Sequence, residues 1–298
     1  MPRIAYTDKG FQPKTLAIIR QANVICAEYA AQGLNMTLRQ LYYQFVARGY
    51  IANKQTEYDR LGSIVNDARL AGLLDWEYII DRTRTLEVQP TWSSPASVLS
   101  AVADQFRIDK WKGQARRPEV WIEKEALAGV IEPICIELGV SFMAVRGYNS
   151  QSAAWQAAQR FRDYRRRGQE PVLLHLGDHD PSGIDMTRDN DARFAMFGQA
   201  TEVRRLALNM DQVEQYDPPP NPAKMTDSRV GSYIDRFGDL SWELDALEPT
   251  VLAGLIRDAV AELRDDDLWG EAVTQEDEHR RLLADVSGRW DEVKEFLG

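Results

Sequence analysis

The sequence is poor in the residues that build disulfide frameworks and zinc clusters, with only Cys26, Cys135 and three histidines in 298 residues. The two cysteines stand far apart in apolar helical patterns, which reads as a pair of buried thiols rather than a bridge or metal pair. Long hydrophobic runs are missing as well. No stretch approaches the roughly 18 apolar residues that a membrane span needs, and MPRIAYTDKG has no signal-peptide core. The expectation is a cytoplasmic protein with no membrane partner. There is no internal repeat, no low-complexity tract and no Walker-type glycine loop, so an ATPase module within this chain is not expected.

Positive charge is also scarce, since the chain carries −10 overall. Its distribution matters more than its total, because affinity for nucleic acid follows the local basic surface. Residues 1–90 sum to +2, residues 91–170 to +3 and residues 171–298 to −15. The first 170 residues are therefore compatible with a DNA-facing surface. Apolar content of 44% and charged content of 28% are ordinary for a globular chain, whose length suits one large domain or two of common size.

Three helices are expected at the start. Pro13 opens the first, whose apolar run from Leu16 to Ile25 ends near Gly33. Thr37 and Gln40 form a capping-box signature for the second, LRQLYYQFVAR, which stops at Gly49. The third, EYDRLGSIVNDARLAG, ends at Gly72, and DWEYIIDRTRTLEV then has the aromatic, β-branched character of a short wing. Three helices and a wing make a winged-helix pattern over residues 1–88, with Arg60, Asn66 and Arg69 of the third helix available to DNA. The same pattern also fits a plain helical bundle. Residues 89–117 read as a linker with one helix and a basic end, in which Lys110, Lys112, Arg116 and Arg117 either track phosphate or are simply solvated. Arg162–Arg167 presents the same choice.

After Pro118 the rhythm changes to strand, helix, strand, helix, strand, with strands at Val120–Ile122, VSFMAV and Val172–Leu176. That alternation predicts an α/β unit over residues 118–298: a Rossmann-like parallel sheet covered on both faces, with acidic helices at its C-terminal end. Functional groups in such sheets gather at the carboxyl ends of the strands. Glu123 follows the first strand, and Asp178 and Asp180 of GDHDPSG follow the third. Three carboxylates at one edge repel one another unless a cation joins them, and hard oxygen ligands suit Mg²⁺, with Mn²⁺ as a substitute. Gly177, Pro181 and Gly183 are expected to form a tight loop that aims both aspartates outward. The plainer reading is that DHDPSG is a turn leading into a helix N-terminus.

In the second helix, Leu38, Leu41, Tyr42 and Phe45 form a core stripe, which leaves Tyr43 on an exposed face one turn beyond Arg39. A guanidinium beside a phenol favours the phenolate and can also grip a phosphate.

WIEKEAL, RGYNS and LLHLGDHDPSGID together resemble the Toprim domain of topoisomerase VI A subunits and of the related meiotic double-strand-break protein. The chain is shorter than a standard A subunit and looks like the reduced "mini-A" relatives. The resemblance covers the second helix and residues 118–190 best. It implies Glu123, Asp178 and Asp180 as metal ligands, Arg146 as a basic residue facing DNA, and Asp185 as a weaker contributor. It also implies an R-x-x-Y/F-Y setting in which Arg39 and Tyr43 carry catalysis with Glu123, and Tyr42 is the substitute nucleophile. The activity implied is Mg²⁺-dependent cleavage of double-stranded DNA through a phosphotyrosine. A homodimer would supply its half-sites in trans, and a separate ATPase subunit would drive strand passage. Two rivals remain open: a Toprim nuclease that uses water, and a DNA-binding protein that does not cut.

Overall fold

The computed structural model describes residues 3–80, 91–145 and 147–297. Three helices come first: α1 (Pro13–Ala30), α2 (Leu38–Ala47) and α3 (Gln55–Leu70). Pro13 sits in the first turn of α1, where its missing N–H costs nothing. Thr37 and Gln40 close the expected capping box on α2. The three helices bury one apolar cluster, with Ile25, Leu41 and Phe45 fully enclosed, at roughly 1.5–3 kcal/mol for each large side chain removed from water. From the segment expected to form a wing, Ile79 pairs with Met36 in an isolated parallel bridge, and Ile80 N–H donates to Met36 O. The rest of that segment, residues 81–88, lies outside the described residues.

Helix α4 (Pro95–Gln105) follows and packs along a long C-terminal helix rather than hanging as a linker. The sheet then begins. Strands β1 (Arg116–Ile122), β2 (Ser141–Ala144), β3 (Glu170–Leu176) and β4 (Glu202–Ala207) lie in the order β2-β1-β3-β4, all parallel. Parallel neighbours need crossovers, which are supplied by α5 (Ala128–Glu137), α6 (Gln151–Arg166) and α7 (Pro181–Met196). Both faces are covered, as the continuous apolar strands predict. On one face Val120, Ile122, Val172 and Leu174 pack against Ile131 and Ile134 of α5 and against Leu252 and Ile256. Trp121 and Leu173 point the other way, onto Ala157 and Phe161 of α6 and Phe194 of α7.

Beyond the sheet come α8 (Met210–Tyr216), a two-stranded ribbon of β5 (Asn221–Pro222) and β6 (Leu240–Ser241) enclosing α9 (Val230–Phe237), then α10 (Pro249–Ala261), α11 (Asp266–Gly288) and α12 (Trp290–Leu297). Leu252 and Ile256 belong to α10, and the partner of α4 is α11. Glu276 of α11 is buried but satisfied, accepting from Ile108 N–H at 2.9 Å and from Lys110 Nζ at 3.0 Å. Among the described residues no helix is long and apolar enough to cross a membrane. Cys26 and Cys135 are both buried free thiols.

Candidate functional site

The sheet register explains how residues far apart in sequence meet. Ile122 and Leu176 are partners at the ends of β1 and β3, so both strands stop level. Glu123 N–H then donates to Leu176 O at 2.9 Å, which sets Glu123 beside the loop that leaves β3. Its carboxylate turns to that loop and accepts from Asp178 N–H at 2.9 Å. The loop tolerates little bulk. A methyl on Gly177 would come within 2.8 Å of Glu123 Oε2, and one on Gly183 within 2.2 Å of Asp178 O. Gly183→Ala is accordingly expected to destabilise the fold by ~1–3 kcal/mol, read as a shift in urea midpoint at unchanged slope.

Arg205 of β4 braces the same loop from beneath. Its guanidinium donates to Gly183 O at 2.8 Å, Gly177 O at 3.0 Å, Asp178 O at 2.5 Å and Thr187 Oγ1 at 2.9 Å. Burial pulls the Arg205 pKa down to about 10 while the neighbouring carboxylates oppose it.

Asp178 is buried rather than aimed outward as the turn residues suggested, while Asp180 is part-exposed. Asp178 is 8% exposed, and its Oδ1 accepts from Leu244 N–H at 2.7 Å and pairs with Lys124 Nζ at 3.0 Å. Asp180 caps α7, its Oδ1 accepting from Gly183 N–H at 2.6 Å and from Ser182 Oγ at 2.8 Å. DHDPSG is thus both an acidic loop and a helix start. Asp185 is committed elsewhere, accepting from Tyr148 Oη at 2.6 Å and Arg188 at 2.7 Å.

Glu123, Asp178 and Asp180 therefore share one sheet edge, but no three His, Cys, Asp or Glu side chains among the described residues stand close enough to hold a metal ion as they are arranged. The donor chemistry still suits a hard cation. Each of the three carboxylates spends one oxygen in the contacts above, and the other accepts no hydrogen bond from the described residues. Burial, then the charge of Asp178, pushes the Glu123 pKa up to about 7 from 4.5. Burial lifts Asp178 to about 6 from 3.8, against the pull of Lys124.

These shifts fix the sign of a pH effect. Between the ordinary and raised values these two groups hold protons in the folded chain that the unfolded chain has released, so their contribution to stability falls as pH rises from about 4 to about 7. His175 and His179, lowered by burial to about 3 and about 4, contribute in the opposite sense up to about 6.5. Glu243 also opposes the raised pair, lower down: Lys124 and Arg39 outweigh its burial and bring it to about 2, so its contribution is lost only as pH drops below the usual 4.5. In thermal melts between pH 5 and 8, Glu123→Gln should gain stability relative to wild type as pH rises. Equal slopes would contradict the assignment.

Helix α2 lies directly against this edge through the 3-10 turn Leu244–Ala246. Arg39 bridges to that turn, with Nε donating to Asp245 Oδ2 at 2.8 Å and Nη2 donating to Glu243. Lys124 reaches the same pair from the sheet, at 2.7 Å from Glu243 Oε2 and 2.8 Å from Asp245 Oδ1. Burial disfavours charge on both Arg39 and Lys124, but Asp245 and its neighbours outweigh it and hold both cationic. Arg39 also approaches Tyr43 as the helical spacing predicts, with Nη2 3.4 Å from Oη and the guanidinium 5.6 Å from the ring centroid.

Tyr43 departs from expectation in its burial. It is 4% exposed, so α2 buries both tyrosines, and the phenol pKa is raised by desolvation, then by Glu243 and Asp245, more than Arg39 and Lys124 lower it. The exposed, ionisation-prone Arg39–Tyr43 face expected from helical spacing is corrected: Arg39 is part-exposed, but Tyr43 is buried and its phenol is harder to ionise than a free one. Tyr42 belongs to the same core, and its hydroxyl meets Asn53 Oδ1 at 2.9 Å and Lys54 O at 3.2 Å.

A cleft of about 320 Å³ opens where the two halves meet, lined by Arg39, Tyr42 and Tyr43 on one side and Asp178, Asp180 and Glu243 on the other. Arg39 and Tyr43 thus face one cavity with Asp178 and Asp180 within a single chain, and Glu123 lies outside its lining.

The DNA-contact candidates divide. Arg60 is exposed but pairs with Glu57, and Asn66 and Lys112 are exposed. Arg69 is turned inward instead, donating to Trp76 O at 2.5 Å and Ile79 O at 2.8 Å and stacking on Trp76, so it anchors the segment after α3. Arg146 lies outside the described residues. Lys110, Arg116, Arg117, Arg165 and Arg166 all pair with acids, which favours solvated or structural faces over phosphate tracking.

Sequence reasoning missed Lys124, Arg205, Glu243 and Asp245. Lys124 was findable, since it directly follows Glu123 at the strand end. Glu243 and Asp245 sit some 120 residues later in SWELDALEP, where nothing local distinguishes them from an acidic surface. Compared with known proteins, the chain matches no family model and no curated sequence.

Proposed function

We propose that the chain is a Mg²⁺-dependent DNA-cleaving transesterase of the topoisomerase VI A kind, with α1–α3 serving as a winged-helix domain and the sheet as a Toprim domain. The observation that carries this reading is the shared cleft, in which Arg39 and Tyr43 face Asp178 and Asp180.

Tyr43 Oη attacks a backbone phosphorus, the bond to the 3′ oxygen breaks, and the protein remains on a 5′ phosphate. The phenol loses one proton and the 3′ oxygen gains one, so the step is proton-neutral overall. Arg39 orients the phosphate and offsets its charge. A divalent cation on Glu123, Asp178 and Asp180 would stabilise the charge developing on the leaving oxygen. Burial, then Glu243 and Asp245, raise the Tyr43 pKa, so its proton must leave as the new bond forms rather than beforehand. A homodimer would bring two such sites together, one cut for each strand. Strand passage would still require a separate ATPase subunit.

The test is plasmid DNA with Mg²⁺ or Mn²⁺, stopped with denaturant. Protein-linked ends that vanish with chelator are expected. Free ends would shift the reading to a water-using nuclease, which the 4% exposure of Tyr43 favours as the second choice.

A further inference from the structure

Two cations from distant segments converge on one pair of carboxylates at the cleft, a pairing that the cleavage chemistry leaves unexplained. Arg39 comes from α2 and Lys124 from the end of β1, and both reach Glu243 and Asp245. The two carboxylates differ in kind. Asp245 has a side chain 1% exposed and sits in the 3-10 turn, between the buried Leu244 and Ala246. The Glu243 side chain is 27% exposed and lines the cleft.

We propose that Arg39 and Lys124 form a phosphodiester-binding site, fixed from below by Asp245 and filled by Glu243 as an internal stand-in until a nucleic-acid strand displaces it. This rests on the reading that the cleft receives DNA. A planar guanidinium fork beside an ammonium suits the two non-bridging oxygens of a phosphodiester, and one carboxylate presents the same two-oxygen, single-charge pattern. The position is apt. Arg39 touches Tyr43 Oη at 3.4 Å and Lys124 touches Asp178 at 3.0 Å, so an anion replacing the Glu243 carboxylate lies between nucleophile and acidic edge.

A second observation points to a polyanionic ligand. Lys54 and Lys224 line the same cleft, are exposed, and have no ion pair among the described residues. They add positive charge to the lining of the cleft that holds Arg39.

The experiment is fluorescence anisotropy with a labelled duplex oligonucleotide in chelator, where cleavage cannot contribute. Glu243→Gln keeps a hydrogen-bonding side chain and is expected to bind about tenfold more tightly, with a salt dependence steeper by about one released counterion. Glu248→Gln, on an exposed residue of the same segment, controls for lost negative charge and should match wild type. Adding Arg39→Met to Glu243→Gln should cancel the gain. Unchanged affinity in Glu243→Gln, or an equal gain in Glu248→Gln, overturns the proposal. If Glu243→Gln fails to fold, the exposed double variant Lys54→Met/Lys224→Met decides: a loss of at least tenfold supports the site, and unchanged affinity overturns it. The two readings can fail separately. Tighter binding by Glu243→Gln without any cleavage by wild type would keep the site and remove the transesterase. Cleavage with no change in affinity would do the reverse.

Discussion

Tyr43→Phe is expected to abolish covalent attachment to DNA, a loss of at least roughly 1000-fold, because it removes the oxygen that forms the bond to phosphorus. The fold should barely notice. The Tyr43 hydroxyl has one 3.4 Å contact to Arg39, and the ring that fills the core is retained. Tyr42→Phe should behave in the opposite way. It removes a hydroxyl bonded to Asn53 and Lys54, which costs about 1 kcal/mol, while attachment persists. Denaturing gels of protein–DNA adduct, run beside thermal melts, separate the two variants. Attachment surviving in Tyr43→Phe and lost in Tyr42→Phe would reassign the nucleophile.

Lys124→Met should be among the most damaging single changes. Lys124 is the shared partner of Asp178, Glu243 and Asp245, whose side chains are 12%, 27% and 1% exposed. Removing this buried cation leaves Asp178 without its ion-pair partner and Glu243 and Asp245 with Arg39 alone, an effect of ~3 kcal/mol rather than the small loss of a surface ion pair. Arg39→Met should cost less, because its side chain is 47% exposed and Lys124 still serves both acids. Urea unfolding of both variants checks the order. A Lys124→Met protein as stable as wild type would mean that the network contributes specificity rather than stability.

Much of the architecture was legible because it is written in local signals. The Thr37/Gln40 box, Pro13 and the glycine stops bounded the first helices. Continuous apolar strands announced a parallel sheet covered on both sides, and the strand-end rule brought Glu123 to Asp178 across 55 residues. What local signals could not carry was orientation. Helical spacing alone set Tyr43 off the core stripe, but the turn carrying Asp245 and Ala246 docks on α2 and buries that face too. For the same reason Arg69, apparently free on α3, was claimed by the carbonyls of Trp76 and Ile79. Side chains whose surroundings come from distant segments are decided by tertiary packing, and periodicity does not see it.

The most direct measurement is to trap the adduct formed with DNA and Mg²⁺, digest it with nuclease and trypsin, and locate the residual nucleotide by mass spectrometry. The proposed chemistry predicts it on the peptide Gln40–Arg48, with fragmentation assigning the modification to Tyr43. DNA breaks accompanied by no modified peptide, or by one that does not include α2, would contradict the tyrosine mechanism and leave the acidic edge acting through water.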